Sequence, residues 1–115
     1  MPSELRFLQG VYPFQGQGLD LPSPFSPPLT YTVPDGKRAQ IVYFRAGNPS
    51  DDLVYVLILR DGKPMRYFPV GARADVHIAL AIVEELPSGA VVELRSAAPP
   101  TASGQLVLDV GIVEL

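Results

Sequence analysis

Residues 53–70 read LVYVLILRDGKPMRYFPV. Asp61-Gly62 supplies the positive φ angles that a two-residue type I′ hairpin requires. Arg60 and Lys63 flank it as the last and first residues of two extended runs. The run before the turn, Leu53 to Arg60, is apolar at consecutive positions. It reads as a central strand covered on both faces, because a half-solvated strand alternates. The return run, Lys63 to Val70, carries Pro64 and Pro69. Neither can donate to a ladder, so this strand is expected at a sheet edge.

The rest of the C-terminal part follows the same period. Ala74 to Val83 places Val76, Ile78, Leu80 and Ile82 on one face and Asp75, His77, Ala79 and Ala81 on the other. This alternation predicts a strand. The rival is a helix from Val76 to Leu86, capped by Asp75 and stopped by Pro87. Pro87-Ser88-Gly89 is a turn, Ala90 to Ala97 a strand and Ala98 to Gly104 a loop. Gln105 to Leu115 closes the chain with Leu106, Leu108, Val110 and Ile112 in register. On the N-terminal side, Gly47 to Asp52 is a loop, Arg38 to Arg45 a strand and Asp35-Gly36 a turn. Six strands about ten residues apart predict an all-β fold, a small antiparallel sandwich or jelly roll over residues 35–115.

Residues 1–34 have a different texture. Phe7 to Val33 holds one charged residue, Asp20, and prolines at 13, 22, 24, 27 and 28. That density opposes helix and central strand. The segment is expected to run extended, partly as polyproline II. Its aromatic residues Tyr12, Phe14, Phe25 and Tyr31 are too many for a solvated tail. They are therefore candidate interface residues of an arm that covers this chain's own sheet or that of a neighbouring copy.

Of 115 residues, 47% are hydrophobic and 18% charged, with a net charge of −3. Low charge on a small domain points to apolar surface that meets a partner. The expected partner is a second copy, a homo-oligomer, or another protein. A mildly acidic chain with no basic run lacks the footprint of a nucleic-acid binder. No apolar stretch approaches the ~18 residues of a membrane-spanning helix. No basic segment leads into an apolar run at Met1-Pro2-Ser3-Glu4-Leu5-Arg6, so no secretory signal and a bacterial cytoplasmic location are the expectation.

The chemistry-bearing residues are few. With no cysteine, disulfides, thiolate metal sites, iron–sulfur ligation and a Cys nucleophile are excluded. A single histidine, His77, cannot assemble the several-His set of a jelly-roll metal site or the Cys and two His of a copper site. No cofactor is expected. His77 lies two residues from Asp75, on the same face of a strand, where a carboxylate orients an imidazole. An enzyme built on His77 would use Asp75, Glu84 or Glu85. No serine sits in a nucleophile elbow, and the plainer reading is a hydrogen-bonded His on a polar face. Asp51 and Asp52 follow an oxygen-rich loop but lack the EF-hand pattern. They read as solvated acids at a strand entry. Arg60, Lys63, Arg66 and Arg73 form a candidate anion or partner patch, or guard an edge strand against foreign pairing. Tyr31, Tyr43, Tyr55 and Tyr67 are candidates for an aromatic platform that binds sugars or anchors a subunit, although core packing with the hydroxyl at the rim is the plainer reading.

SDDLVYVLILRDGKPM at 50–65 and LPSGAVVELRSA at 86–97 resemble, in pattern, bacterial β-sandwich accessory domains of the pre-peptidase C-terminal type. The family's acidic strand entry is degraded here to Asp51-Asp52-Leu53-Val54-Tyr55. YFRAGN, RDGKPMRYFPVGA and VHIAL are similar to short bacterial sequences labelled molybdopterin oxidoreductase. That resemblance implies at most a small accessory partner of such an enzyme, since the chain is too short for a catalytic subunit. The function expected from the residues is a non-catalytic binding or assembly module. The alternatives are that accessory role, a carbohydrate- or anion-binding sandwich, or an enzyme using His77.

Overall fold

A computed structural model describes residues 3–80 and 85–115. The hairpin at Asp61-Gly62 is present, with φ of 50° and 80° at the two turn residues and Arg60 paired to Lys63 across it. Eight strands run in chain order: β1 Glu4–Gln15, β2 Ser23–Thr32, β3 Ala39–Asn48, β4 Val54–Arg60, β5 Lys63–Val70, β6 Ala74–Ala79, β7 Val91–Ala97 and β8 Ser103–Glu114. They form two antiparallel four-stranded sheets, ordered β1-β8-β3-β6 and β2-β7-β4-β5. This is the strand order of a jelly roll, a two-layer sandwich of two Greek keys. The described residues hold no helix long and apolar enough to cross a membrane.

The six expected strands are β3 to β8. Residues 74–79 take the strand reading over the helical one. Residues 81–84, on which the end of that alternation falls, lie outside the described residues. Leu86 rejoins the sheet by a bridge to Ala39. The loops expected at 47–52 and 98–104 are shorter, because Gly47 and Asn48 pair with Asp75 and Ala74, and Ser103 and Gly104 pair with Gln15 and Phe14.

The N-terminal segment corrects the expected division near residue 34. It is an integral part of the sandwich, giving β1 to one sheet and β2 to the other. Its prolines are tolerated because both strands are edges. In β2 they fall at a register shift between Pro24 and Leu29. In β1 the lone Pro13 sits at a position whose backbone faces away from β8, so no ladder donor is needed there.

The core is the space between the sheets. Val54, Val56 and Ile58 from β4 meet Leu106, Leu108, Val110 and Ile112 from β8, all fully buried. Phe44 of β3 and Phe68 of β5 stack across the layers with ring centroids 4.1 Å apart. Each such side chain contributes about 1.5–3 kcal/mol by leaving water. The outward residues of β4, Leu57 and Leu59, are also buried, but not under a further layer. Their cover comes from within the sheet: Tyr67 and Arg95 flank Leu57, and Pro64 and Glu93 flank Leu59. Arg95 and Glu93 are ion-paired at 3.0 Å, which holds their stems over the leucines.

Asn48 is the polar plug at one end of the core. Its buried amide donates to the carbonyls of Asp52, Val70 and Gly71 at 2.8–3.2 Å, and its oxygen accepts from the Ser50 N–H and hydroxyl. It therefore stitches the end of β3 to the end of β5. Asn48→Leu keeps the volume and strands those backbone groups. We expect it to lower unfolding free energy by about 2–3 kcal/mol in urea titrations, and a loss under about 0.5 kcal/mol contradicts this account of the plug.

Candidate functional site

Antiparallel pairing places outward residues in rows across the β1-β8-β3-β6 sheet. One row is Phe7, Gly111, Tyr43; the next is Gln9, Asp109, Arg45, His77; the third is Val11, Val107, Gly47, Asp75. The β1–β8 side of this face is apolar and solvated: Leu5, Phe7, Val11 and Val107 are 60, 47, 57 and 50% exposed. The inward residues of the same strand, Leu8, Tyr12 and Phe14, are packed on the core. Thus β1 is apolar on both faces while only one is covered, and it is also a sheet edge.

The β3–β6 side of the face is polar. Asp75 and His77 are brought together with Arg45, Gly47, Val107 and Asp109 around an open depression of about 350 Å³. Tyr43 lies flat enough over Gly111 that a Cβ there would fall 2.0 Å from its ring. Its hydroxyl donates to Asp109 at 2.8 Å, and Arg45 approaches the same carboxylate at 3.7 Å. Burial of the ring, and then this hydrogen bond, raise the Tyr43 pKa. His77 meets the Tyr43 ring edge-on at 6.2 Å and is exposed. Of the carboxylates expected to serve His77, Asp75 is beside it, Glu85 is paired with Arg38 at 2.7 Å, and Glu84 lies outside the described residues.

The four basic residues of the expected patch do not converge. Arg60, Lys63 and Arg66 gather at the β4–β5 tip around a second open depression. Arg73 sits at the other end of β5, beyond Val70, at φ 53°, where it pairs with Asp51 at 2.6 Å. That pair uses one acid of the Asp51-Asp52 loop, and Asn48 and Ser50 bond the Asp52 carbonyl. The described residues hold no His/Cys/Asp/Glu group that could hold a metal ion.

The tyrosines do not form one platform. Tyr43 is on one sheet. Tyr55 and Tyr67 pair edge-on at 5.5 Å on the outer face of the other, with the Tyr55 hydroxyl donating to the Leu19 carbonyl at 2.6 Å. Tyr31 points inward. The candidate interface residues Tyr12, Phe14, Phe25 and Tyr31 are thereby accounted for inside the chain. Phe14 and Phe25 are buried, and the Tyr12 and Phe25 rings meet at 5.5 Å between the two sheets. Because β1 and β2 belong to opposite sheets, their inward aromatics face one another and close the open side of the sandwich.

One functional-looking group escapes a reading by motif. Glu114 is 2% exposed and continues the inward register of Leu106, Leu108, Val110 and Ile112. A charge in that register was the available signal. Its carboxylate accepts the Tyr31 hydroxyl from the facing sheet and Lys37 Nζ at 3.4 Å, with Arg6 at 3.6 Å. The Tyr31 hydrogen bond holds Glu114 below the ordinary carboxylate range against the opposing effect of burial, aided by Lys37 and Arg6. Tyr31 moves the other way, upward, first by burial and then by donating to Glu114.

A depressed folded pKa gives stability that is present above the unfolded carboxylate value near 4.3 and lost as pH falls through the folded one. A raised tyrosine pKa gives stability present below about pH 10 and lost as pH rises beyond it. Glu114→Gln is therefore expected to flatten the acid limb of urea midpoint against pH, and Tyr31→Phe the alkaline limb. Limbs that superimpose on the wild type refute the coupling. No protein-family model matches this chain, and no curated protein matches it.

Proposed function

We propose that the chain is a non-catalytic assembly module that associates with itself through β1 and the adjoining outward face of β8. One observation carries this reading: Leu5, Phe7, Val11 and Val107 are half-exposed on one face and one edge of the sheet. Large apolar residues massed on a small domain mark an interaction surface, and a chain with 18% charged residues has little else to keep such a surface in water. Catalysis is the weaker reading, since the polar groups around His77 line an open, solvated depression with no adjacent serine nucleophile among the described lining residues.

Sedimentation velocity across micromolar concentrations tests it. We expect a mass above the 12.4 kDa of one chain. The Leu5→Glu/Val11→Glu double variant is expected to associate at least tenfold more weakly, since each lost apolar contact is worth more than ~1.4 kcal/mol. A wild type that stays monomeric sinks the proposal.

The β4–β5 tip favours a second reading, anion binding, because Arg60, Lys63 and Arg66 share one depression there. Millimolar sulfate or phosphate is then expected to raise the melting temperature of the wild type and not of Lys63→Ala/Arg66→Ala. Equal shifts in both remove this reading.

A further inference from the structure

Resting on the self-association proposed above, we infer that two copies join through β1 itself, edge to edge and antiparallel about a two-fold axis beside Leu8, so that their β1-β8-β3-β6 sheets fuse into one eight-stranded sheet.

The four sheet edges are not equally open. An edge strand presents unpaired N–H and C=O groups, and proteins blunt it with proline, brevity or charge. β2 carries Pro24, Pro27 and Pro28, and β5 carries Pro64 and Pro69 with Lys63 and Arg66. β6 has six residues and presents Asp75 and His77. β1 has twelve residues, with Glu4 and Arg6 at one end, one proline near the other, and neither charge nor proline from Phe7 to Tyr12. It is the one long edge whose middle is left without these guards.

Bond parity shows which groups that edge offers. The Gly16 N–H donates to the Ala102 carbonyl at 2.8 Å, one step past the Gln15–Ser103 pair. On the far side of β8, Leu115 and Arg38 exchange both bonds, at 2.7 and 3.3 Å. Antiparallel partners alternate between bonded and non-bonded pairs. Even-numbered residues of β1 therefore bond β8, and the odd ones, Leu5, Phe7, Gln9, Val11 and Pro13, turn their backbone off the edge. Pro13 has no N–H to offer, which is why it costs the sheet nothing and why it bounds the usable edge.

That bound sets the register. With Pro13 excluded, the usable outward donors run from Leu5 to Val11, and a two-fold axis beside Leu8 centres them. Leu5 then faces the second copy's Val11, and Phe7 faces its Gln9, each pair exchanging two N–H···O=C bonds. On the inward side Leu8 meets Leu8, Arg6 meets Gly10 and Glu4 meets Tyr12, so no like charges are opposed. The apolar row Val107, Val11 of one copy continues into Leu5, Val113 of the other. The guanidinium of Arg6 and the hydroxyl of Tyr12 reach the carbonyls of Leu5 and Gln9 at 3.0 and 3.3 Å. A carbonyl has a second lone pair for the ladder.

Two measurements on the full chain test this. Amide hydrogen exchange by NMR is expected to show slow exchange at Leu5, Phe7, Gln9 and Val11 that strengthens with protein concentration. Gln9→Pro deletes an N–H that leaves the edge and bonds nothing within the chain. It is expected to return the protein to monomer mass with its circular dichroism spectrum intact, while Val91→Glu, on the outer face of the other sheet, keeps the dimer. Should Gln9→Pro misfold, Val11→Pro at the next outward donor and the exchange data on the wild type decide the matter. A dimer with fast exchange at these amides, or one that survives both prolines and dissociates with Val107→Glu, overturns the edge geometry and leaves face-to-face self-association standing. A wild type that is monomeric at every concentration removes both.

Discussion

The structure depends on one constraint, the nesting of four of its six strand pairs around the Asp61-Gly62 turn. β4 pairs with β5, β3 with β6, β2 with β7 and β1 with β8, and the midpoints of these pairs stay between residues 59 and 62. The chain is thus a single long hairpin that has folded over. Two cross-pairs, β3 with β8 and β4 with β7, then lock the fold into two sheets. A positive φ at both turn residues matches the right-handed twist of the flanking strands, and that start propagates outward. The cross-pairs give β8 and β7 a second partner and leave β1 and β2 with one each, so β1 and β2 are edges by topology, whatever their composition.

A sandwich of this kind is open at both ends of its core, and here each end is closed by a polar group rather than an apolar one. Asn48 closes the end where β3 stops, and Glu114 the end where β3 begins, opposite Ala39. Burying either group alone would be unfavourable. Each is made tolerable by partners from several elements: three backbone carbonyls for Asn48, and a tyrosine from the facing sheet with two cations for Glu114. The consequence is specificity of registration between the sheets. Tyr31 on β2 can meet Glu114 on β8 only when the two layers sit in one relative position.

Turn residues at their ends made β3 to β8 legible, together with a period of two in β6 and β8 and, in β4, a continuous apolar run leading into Asp61-Gly62. β1 and β2 were not legible as strands, since proline argues against a ladder and the argument cannot be relaxed without knowing which strands are edges. The same ignorance left open what the aromatics cover: Tyr12, Phe14, Phe25 and Tyr31 signalled burial on this chain's own sheet or a neighbour's, and only the placement of β1 and β2 in opposite sheets reveals that they pack within this chain, between the layers. Arg73 was grouped with Arg60 by proximity in sequence, whereas a strand of eight residues carries it to the opposite end of the sheet. Asp109 went unnoticed beside His77 because its neighbours Arg45 and Tyr43 lie far away in sequence and meet it through cross-strand pairing.

Edge status also explains where the unusual composition of the chain accumulates. An edge that must stay single is best built with proline or charge: β2 carries three prolines, and β5 two prolines with Lys63 and Arg66. β1 has an equal topological exposure and a different chemistry: both its faces are apolar, and its one proline lies at a position whose backbone faces outward. In a strand the side chain and the N–H alternate with the same period. The outward apolar residues of β1 are therefore the same residues whose amides leave the sheet. A partner strand laid alongside would bond those amides and give the same residues lateral apolar contact, which is why the proposed pairing of two β1 strands joins the two features in one geometry.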